Sequence, residues 1–410
     1  MKLYDIIIVG AGAAGLMTAI IAARKGLGVL LLDGKEHIGA KILMSGGTRC
    51  NVTNQRVTED DFESENPRAV RNILQAFPSD KAVEFFSDLG VELLLEPGGK
   101  YFPVTHSAKT VLDALTMEAA RLGVILQSSK KVNEIRSEQG HFHVCGKDFS
   151  HEGKTVVLAT GGLSHPTTGS DGTGYGIALS LGHHLVKTTP ALTPLLTEDK
   201  DWKSLAGVSF PARLTLWVDG RKEISFEGGF LFTHFGFSGP TALNISRHWI
   251  HWNNARAQVK LASNFLPGES EERLREKLMD TSSRKTIKNF LSDVLPERFA
   301  EIFLKKLEVP ESQIMPQLRR EDRENLIRCL FHFPLEISGV FGYQKAEVTA
   351  GGINLSEIDI KTMESKIQPG LFLAGEILDA DGRIGGFNFQ WSWSTGFLAG
   401  QGIAKKIGVQ

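Results

Sequence analysis

Residues 4–33 constrain the fold of this chain more than any other stretch. They read as a buried strand, a glycine-rich turn, an apolar helix and a second strand that ends at Asp33. In such a turn Gly10 permits the tight bend, Gly12 lets the backbone approach a diphosphate, and Gly15 lets the helix pack closely on the strand. The first N–H groups of the helix attract phosphate, and an acid at the tip of the second strand accepts hydrogen bonds from a ribose. The segment therefore predicts a dinucleotide-binding βαβ unit.

The composition is that of an ordinary water-soluble protein. The chain has 410 residues, a formal net charge of −1 and 41% hydrophobic residues, so charge gives no reason to expect nucleic acid or an anionic membrane as partner. Its three cysteines fit neither a disulfide framework nor a zinc site, which favours the reducing cytoplasm. Residues 6–23 carry no charge, as in a signal peptide or membrane span, but their glycine spacing and the strand that follows favour the βαβ interpretation. We expect a cytoplasmic protein without a membrane segment, and the sequence leaves its oligomeric state open.

The texture of the sequence changes twice along the chain. Glycine-punctuated strands alternate with helices at both chain ends, whereas residues 189–266 carry alternating, strand-like runs and residues 267–340 are helical and highly charged. These patterns predict a discontinuous domain, 1–188 plus 341–410, that carries two insertions. The first insertion is a β-rich substrate domain over 189–266, and the second is a helical domain over 267–340.

A second buried strand ends in small residues. It begins at Thr155 and leads into Ala159, Thr160, Gly161 and Gly162. Flavoproteins with two dinucleotide folds have such a strand where the backbone passes close to the cofactor. Taken alone, the pattern also fits any parallel strand that ends in two glycines.

The C-terminal segment indicates which dinucleotide is bound. Many FAD proteins end with an apolar strand, a glycine and an acid that reaches the ribityl hydroxyls, and Gly375-Glu376 fits this pattern. A glycine-rich turn at Gly385 and Gly386 then begins a last helix, whose N–H groups face the pyrimidine end of the flavin. The dipole of that helix stabilises the negative charge of the reduced ring. A nicotinamide-dependent dehydrogenase has no need for this contact, so tightly bound FAD is preferred over NAD.

The loop over residues 41–54 resembles the redox loop of disulfide reductases but lacks its chemistry. Two glycines and Thr48 precede Cys50, whereas thiol–disulfide exchange needs a second cysteine a few residues on, and none follows. We expect this loop to lay small and polar groups against the flavin, with Cys50 as a small buried residue. Arg49 can bind phosphate or substrate, or pair with an acid, and these alternatives stay open.

No other motif gives a complete site. The loop 168–176 holds four glycines and suits a ligand-hugging turn or a flexible loop, and the chain has no second complete βαβ fingerprint. NAD(P)H is therefore expected only as a transient electron donor. The histidine pairs at 141/143 and 183/184 lack the carboxylate spacing of a metal site, and no metal is expected. His234 lies among aromatic residues and glycines, where it suits a structural role or the lining of an apolar pocket.

Four motifs together resemble one family. They lie at Ile42–Asn51, Leu231–Pro240, Glu347–Gly352 and Gly375–Trp391. The sequence is similar to the bacterial three-domain flavoproteins that include aminoacetone oxidase and bile-acid dehydro-reductases, over nearly the whole chain. The resemblance implies an α/β, two-dinucleotide-binding-type FAD domain of Rossmann-like fold, with a β-barrel-like and a helical subdomain inserted. Thr48 stands where the family has a third glycine, which would tighten the loop near the flavin.

The sequence thus predicts an FAD-dependent oxidoreductase, with an NAD(P)H-linked reductase of an enone-type or other small organic substrate as the first hypothesis. The alternatives are an oxygen-using oxidase of an amine or aminoketone that produces hydrogen peroxide, an FAD-dependent RNA-modifying or RNA-binding protein, and a flavin-holding scaffold. The candidate catalytic residues are His234 and Arg49. The predicted cofactor-binding residues are Gly10, Gly12, Ala13, Ala14, Gly15, Asp33, Lys41, Ser45, Gly46, Gly47, Arg49, Cys50, Asn51, Ala159, Thr160, Gly161, Gly162, Gly375, Glu376, Gly385, Gly386, Phe387, Asn388 and Phe389.

Overall fold

The computed structural model describes residues 2–280 and 282–409. Short 3₁₀ turns lie at Glu59–Asp61, Pro166–Thr168, Met315–Gln317, Leu355–Glu357 and Gly375–Ile377. The α-helices of the described residues are α1 (Ala13–Arg24), α2 (Ala40–Thr48), α3 (Pro67–Ala76), α4 (Ser79–Asp88), α5 (Ala108–Arg121), α6 (Thr173–Ser180), α7 (Lys200–Ser204), α8 (Gly239–Asn254), α9 (Glu271–Leu278), α10 (Ile287–Ser292), α11 (Glu297–Lys306), α12 (Arg320–His332) and α13 (Phe387–Ile407).

The strands of the same described residues are β1 (Leu3–Val9), β2 (Val29–Leu32), β3 (Thr53–Asn54), β4 (Phe62–Glu63), β5 (Leu93–Glu96), β6 (Lys100–Pro103), β7 (Ile125–Gln127), β8 (Val132–Glu138), β9 (His141–Gly146), β10 (Ser150–Leu158), β11 (Leu185–Ala191), β12 (Leu195–Leu196), β13 (Ser209–Val218), β14 (Arg221–Thr233), β15 (Gly236–Ser238), β16 (Val259–Asn264), β17 (Phe333–Leu335), β18 (Gly339–Val340), β19 (Val348–Ile353), β20 (Ile358–Asp359), β21 (Glu364–Ser365), β22 (Leu371–Leu373) and β23 (Asp381–Gly382). The longest of these strands have 9, 10 and 13 residues and are β10, β13 and β14.

The described chain divides into two units. One combines the residues up to Pro190 with those from Glu347 onward, and the other is Ala191–Ala346. The predicted boundaries of the discontinuous domain lay at 188 and 341. The division of the inserted segment into a β-rich and a helical domain stays a prediction. Residues 333–340, which the sequence pattern placed in the helical part, form the sheet strands β17 and β18, because two short apolar runs there pair with strands that lie far away in the sequence.

The discontinuous unit is built around the strands predicted from the glycine turn. Within the described residues its main sheet has nine strands in the order β20-β21-β22-β10-β1-β2-β7, with β9 beside β10 and β8 beside β9. Strands β22, β10, β1, β2 and β7 run parallel. All of β2 and the last four residues of β1 are buried, as expected for a parallel sheet that is covered on both faces. The predicted α/β, Rossmann-type fold class is confirmed.

The two ends of the chain pack against each other in this unit. Helix α1 follows β1, and the C-terminal helix α13 lies along it with glycines at the contact. A Cβ atom on Gly396 would lie 2.7 Å from the carbonyl oxygen of Ala14, and one on Gly400 would lie 2.7 Å from Cβ of Ile21. Since any side chain at these two positions would push the helices apart, the close packing of α1 on α13 depends on glycine.

A separate pair of strands stands where the chain leaves and re-enters this unit. Strands β11 and β19 form a two-stranded sheet, and directly beyond one end of it the backbone N–H of Asn354 donates to the carbonyl of His184 at 3.2 Å. A Cβ atom on Gly351 would lie 2.6 Å from the carbonyl oxygen of Lys187. These contacts run in opposite order along the two strands, so the pair is antiparallel and the two chain crossings lie side by side.

The second unit is an antiparallel sheet that shares one core with helices. In the described residues seven strands pair in the order β17-β16-β13-β14-β15-β12-β18. Trp202 stacks on Phe299 with ring centroids 5.9 Å apart, and Phe265 meets Phe299 edge-on at 4.8 Å. Phe303 joins the same cluster, so residues of the helical segment and of the sheet bury one continuous aromatic core. Among the residues that the structure describes, no helix combines the length and the apolarity that crossing a bilayer requires.

We expect Gly400→Ala to lower the stability of the discontinuous unit by about 1–3 kcal/mol, because the added methyl overpacks the contact with α1. Thermal unfolding at saturating FAD measures the effect. Gly176→Ala is the matched control, since Gly176 lies in helix α6 and no described atom lies within 4 Å of the position of its added Cβ. The control is expected to gain up to about 1 kcal/mol from helix propensity. Equal Tm values for the two variants would contradict the packing argument.

Candidate functional site

The carboxyl ends of four parallel strands meet at one edge of the main sheet. The N–H of Gly10 donates to Leu32 O at 2.8 Å, that of Ala159 donates to Val9 O at 2.9 Å, and that of Ala374 donates to Leu158 O at 3.0 Å. The ends of β1, β2, β10 and β22 are thereby aligned. Ligands of open α/β sheets bind at this edge.

The predicted glycine turn is closed on one side and open on the other. Gly10 has φ +106° and a Cβ atom there would overlap the carbonyl oxygen of Ala159, while one on Gly15 would overlap the carbonyl oxygen of Gly10. Gly12 differs, because no described atom other than those of its chain neighbours lies within 4 Å of the position of its Cβ. Gly12 is the N-cap residue of α1 and, like Ala13, is only partly buried, so open space lies at the N-terminal end of that helix.

Asp33 lies directly beyond β2 and binds the glycine turn. Its Oδ2 accepts from the N–H of Ala11 at 2.7 Å, and its Oδ1 accepts from the N–H of Lys35 at 2.8 Å. Each carboxylate oxygen retains capacity for a further donor. The structure brings this predicted ribose ligand to the turn, and its role toward the ribose stays a prediction.

The residues after β10 form the second wall of the site. Gly161 has φ +70°, and a Cβ atom there would overlap Oγ of Ser170. A Cβ atom on Gly162 would overlap Oγ1 of Thr349. Thr160 Oγ1 is buried and has no hydrogen-bond partner among the described residues. At this wall the two glycines face the protein's own side chains, and Thr160 Oγ1 lies toward Gly174 of helix α6.

A charged network joins four positions that are remote in sequence. Lys41 Nζ donates to Ser164 Oγ at 2.7 Å and to Glu376 Oε2 at 2.6 Å. Glu376 Oε1 accepts from Ser164 Oγ at 2.7 Å and from the N–H of Thr349 at 2.9 Å. Burial alone would raise the pKa of Glu376, but the Lys41 ammonium and these hydrogen bonds hold it below its ordinary value. The carboxylate predicted to reach the ribityl chain is thus a fixed anion.

Ser164 is a member of this network that the sequence motifs did not indicate, and Thr349 was indicated only within a motif. A polar residue shortly after the Gly161-Gly162 pair is a weak signal, because nothing in the sequence places it near Glu376. The contact depends on chain segments separated by more than two hundred residues, and local patterns carry no information about such pairs.

The loop after Lys41 bends sharply away from helical geometry. Helix α2 is interrupted at Ser45–Gly47, where Ser45 has ψ 151° and the two glycines have φ +55° and +67°. Thr48 continues the left-handed run with φ +69°, and Cys50 has φ +61°. Left-handed backbone is unfavourable for a β-branched residue. Thr48 is therefore a strained position.

Arg49 is held by an acid and an aromatic ring. Its Nη1 lies 2.8 Å from Glu96 Oε1, and its guanidinium lies over the ring of Phe102 at 4.0 Å from the centroid. Of the three alternatives from the sequence, the pairing with an acid is the one that the structure contains. The guanidinium retains further N–H donors, and a role for Arg49 in binding or catalysis stays a prediction.

Cys50 is a buried thiol with no exposed surface. Burial raises its pKa to about 12, although a hydrogen bond with Ser45 acts in the opposite direction. A thiol with this pKa carries almost no thiolate at neutral pH and is a poor nucleophile. The geometry agrees with the interpretation of Cys50 as a small packing residue.

The loop 41–54 is joined to the start of the last helix. Trp393 Nε1 donates to Val52 O at 2.9 Å, Thr53 Oγ1 donates to Gln390 Oε1 at 2.6 Å, and Asn54 Nδ2 donates to Gly385 O at 3.0 Å. These bonds fix the N-terminal end of α13 against a segment from the other end of the chain.

The turn before α13 is tightly packed on that loop. Gly386 has φ +93°, and a Cβ atom there would lie 2.6 Å from Thr53 O and 2.9 Å from Asn51 Oδ1. Asn51 Oδ1 is buried without a hydrogen-bond partner among the described residues. Gly385 has φ +135° and Gly375 has φ +82°, so glycine is favoured at all three predicted glycine positions of this segment.

The side chains that open α13 pack internally. Phe387 is fully buried and meets Phe62 edge-on, Asn388 exchanges two 2.8 Å hydrogen bonds with the backbone of Gly382, and Phe389 stacks on Trp393 at 5.6 Å. These three side chains therefore stabilise the turn. The part of this segment that a ligand can reach is the N-terminal end of α13.

His234 lies in the second unit, on the turn between β14 and β15. The residue is exposed, and its ring meets that of Phe235 edge-on with centroids 4.8 Å apart. The two predicted catalytic candidates thus belong to different units, and a catalytic role for His234 stays a prediction.

Taken together, the walls of the site fit an extended dinucleotide with a polar middle. The open face of Gly12 at the start of α1 and the N-terminal end of α13 are the groups that the structure leaves available to a ligand. Positive helix ends suit a diphosphate and an electron-rich ring. The glycines of the two walls are required by close packing against the protein's own atoms.

Comparison with known proteins identifies the family. The model of the HI0933-like protein Rossmann domain matches residues 4–402. The chain belongs to the HI0933-like family. The 3-dehydro-bile acid delta(4,6)-reductase of Clostridium scindens is 33% identical over 405 residues, which cover 97% of this chain and 98% of the relative. The ribosomal RNA dihydrouridine synthase of Escherichia coli is 32% identical over 406 residues, with 98% of both chains covered.

Solved structures support the fold of this HI0933-like chain. Sdh1 of Mycobacterium smegmatis, in complex with UQ1, matches all of the chain and 69% of its own length with a TM-score of 0.53 and 17% identity. A flavocytochrome c3 fumarate reductase in an open conformation matches 98% of the chain and 78% of its own length with a TM-score of 0.50 and 16% identity. The HI0933-like protein is an FAD-dependent oxidoreductase, and the predicted cofactor is confirmed.

We expect Thr48→Gly to raise the free energy of unfolding by about 1 kcal/mol, because glycine relieves the left-handed strain at an exposed position and removes no buried contact. Thr48→Ala is the control, since alanine keeps the Cβ that causes the strain. Thermal and urea unfolding of the FAD-loaded protein measure both. A gain for alanine equal to that for glycine would mean that the backbone conformation is not the source.

We expect Cys50→Ala to retain FAD and full turnover with an electron donor, because the buried thiol of Cys50 is not ionised at neutral pH. Cys329→Ala, another buried cysteine in the second unit, serves as the control for general effects of cysteine removal. Turnover is measured by stopped-flow absorbance of the flavin. Loss of turnover in Cys50→Ala alone, with FAD retained, would show that the thiol of Cys50 takes part in the reaction.

Proposed function

We propose that this protein reduces a carbon–carbon double bond conjugated to a carbonyl group in a small organic substrate, with NAD(P)H as a transient electron donor. The two relatives above support this reaction class. One is named as a delta(4,6)-reductase of a 3-dehydro bile acid and the other as a dihydrouridine synthase. Reduction of a dienone and reduction of the uracil ring each add two hydrogens to a double bond that is conjugated with a carbonyl group.

The observation that carries the proposal is the combination of two helix N-terminal ends, those of α1 and α13, in the predicted cofactor site and an inert thiol beside them. Bound FAD supplies hydride acceptance and donation. Cys50, the cysteine beside the predicted site, has a pKa raised to about 12, so the site does not favour a dithiol relay of the kind that disulfide reductases use. Direct transfer between a donor, the cofactor and a substrate is the chemistry that this arrangement supports.

We assign the roles of the protein's own residues from their positions. The N–H groups at the start of α1, beside Gly12 and Ala13, would hold the diphosphate, and Asp33 would accept from the ribose next to it. Asn51 and Thr160 would line the ribityl–flavin half of the site, as the sequence motifs predict. The N-terminal end of α13 would face the flavin ring and favour its reduced, anionic form.

A small substrate is favoured over RNA by the distribution of charge. In the helical segment Lys305 and Lys306 pair with Asp201 and Asp199 at 2.7 and 2.5 Å. Lys288 likewise lies within 3.3 Å of three glutamates. Neutralised lysines release few counterions from a phosphate backbone. These pairs and the net charge of −1 support a partner without a polyanionic backbone.

Reduction of uridine in ribosomal RNA is the second candidate. Two relatives, 32% and 31% identical to this chain, bear the name ribosomal RNA dihydrouridine synthase. The double bond to be reduced is of the same chemical class, so the same flavin site would serve both substrates. The oxygen-using oxidase, by contrast, has no counterpart among the relatives named above.

The proposal is tested by mixing the FAD-loaded protein anaerobically with NADH or NADPH and following the visible absorbance of the flavin. We expect rapid bleaching by one of the two donors. A 3-oxo-4,6-diene steroid added next should restore the colour with stoichiometric loss of the double bond, measured by mass spectrometry. Free FAD with the same donor is the control for uncatalysed reduction.

The other outcomes separate the alternatives. If deproteinised ribosomal RNA, and not the dienone, restores the colour of the reduced flavin, the assignment changes to uridine reduction. Salt-sensitive retention of RNA by the protein should then accompany that result. Absence of bleaching by either nicotinamide, together with oxygen consumption on addition of an aminoketone, would overturn the proposal in favour of the oxidase.

A further inference from the structure

We infer that the ion pair between Lys41 and Glu376 sets the reduction potential of the bound FAD, and that its two charges act on that potential in opposite directions. This inference rests on the presence of FAD and is independent of the substrate proposed above. Lys41 and Glu376 are tuning residues, which act on the cofactor through their charge.

The pair lies at the carboxyl edge of the sheet, where the predicted cofactor site is. Glu376 follows Gly375, at the end of β22, and Gly375 would place a Cβ atom 2.8 Å from Cβ of Ala14 at the start of α1. Lys41 Nζ lies 3.8 Å from the position that a Cβ atom on Gly161 would occupy. The ion pair therefore lies between the start of α1 and the backbone after β10, the two segments that border the predicted site.

The two charges are withdrawn from water and held in a closed ring of hydrogen bonds. The side chain of Lys41 is 25% exposed and that of Glu376 is 17% exposed. Lys41 donates to Ser164 and to Glu376, and Ser164 donates in turn to Glu376. Each charge is thus fixed in place by two neighbours, and neither can rotate away into solvent without breaking the ring.

A fixed pair of opposite charges has a small net field, whereas one member alone has a large one. A single charge in a poorly solvated site acts over several ångströms. Reduction of FAD by two electrons with uptake of one proton gives a ring with one additional negative charge. A lone Lys41 ammonium would stabilise that anion and raise the potential, and a lone Glu376 carboxylate would destabilise it and lower the potential.

Another ion pair of the same unit provides a control. Lys154 Nζ lies 2.7 Å from Asp5 Oδ1, and these side chains are 46% and 27% exposed. Asp5 is five residues before Gly10 on β1, and at a rise of about 3.3 Å per residue this separates it from the carboxyl edge by about 16 Å. Breaking this pair removes a charge from the same sheet at its other end, where solvent screens it.

The test measures midpoint potentials of the FAD-loaded protein without substrate, by slow enzymatic reduction against reference dyes at pH 8.5. This pH lies well above the ordinary pKa of a carboxyl group, which favours the ionised form of Glu376 after its partner is removed. The variants are Glu376→Gln, Lys41→Met, the double variant and Lys154→Met. We expect Glu376→Gln to raise the potential, Lys41→Met to lower it, the double variant to lie near the unmodified protein, and Lys154→Met to leave it unchanged.

The inference is overturned if Glu376→Gln and Lys41→Met shift the potential in the same direction, or if neither differs from Lys154→Met. A purely structural role would weaken FAD binding in both variants without opposite shifts. If Glu376→Gln does not hold FAD, the comparison of Lys41→Met with Lys41→Arg decides, because arginine keeps the charge and should keep the potential. Since no substrate is present, a wrong substrate assignment leaves these results unaffected.

Discussion

No side chain fits between the first glycine turn and the strands beside it, and the rest of the site depends on this constraint. Backbone meets backbone where Gly10 faces Ala159 and where Gly15 faces Gly10. This contact aligns the ends of the parallel strands at a single edge and brings the start of α1 to that edge. The N–H groups at the start of a helix that borders open space are left for a ligand, which is why the site suits a diphosphate-containing cofactor.

The same site requires both ends of the chain. Residues 51–54 are bound to Gly385, Gln390 and Trp393 by three hydrogen bonds, and the Lys41 ammonium is bound to Glu376. The predicted FAD site is consequently incomplete until α13 has packed on α1. Contacts of such long sequence separation form late or slowly in folding, so binding of FAD is coupled to completion of the whole discontinuous unit.

The parts of the fold that local sequence patterns determine were predictable. The spacing of Gly10, Gly12 and Gly15 indicates the βαβ unit, because each position has a local steric requirement that glycine meets. The pair Gly385-Gly386 similarly indicates the turn before α13. Long-range partners were not predictable. Nothing near Ser164 in the sequence indicates that it binds Glu376, and the strands β17 and β18 are too short to stand out from the charged helices before them. His234 illustrates the same limit, since an aromatic-rich motif does not show what the side chain faces.

The antiparallel pair of β11 and β19 has a consequence for how this architecture diversifies. The chain leaves the discontinuous unit at the end of β11 and returns at the start of β19. The polypeptide between the two strands therefore connects them as an enlarged hairpin loop would. The entropy of closing such a loop grows only slowly with its length. Replacement of the whole intervening segment is therefore compatible with an unaltered nucleotide-binding scaffold, and the inserted unit can vary in evolution while that scaffold is inherited intact.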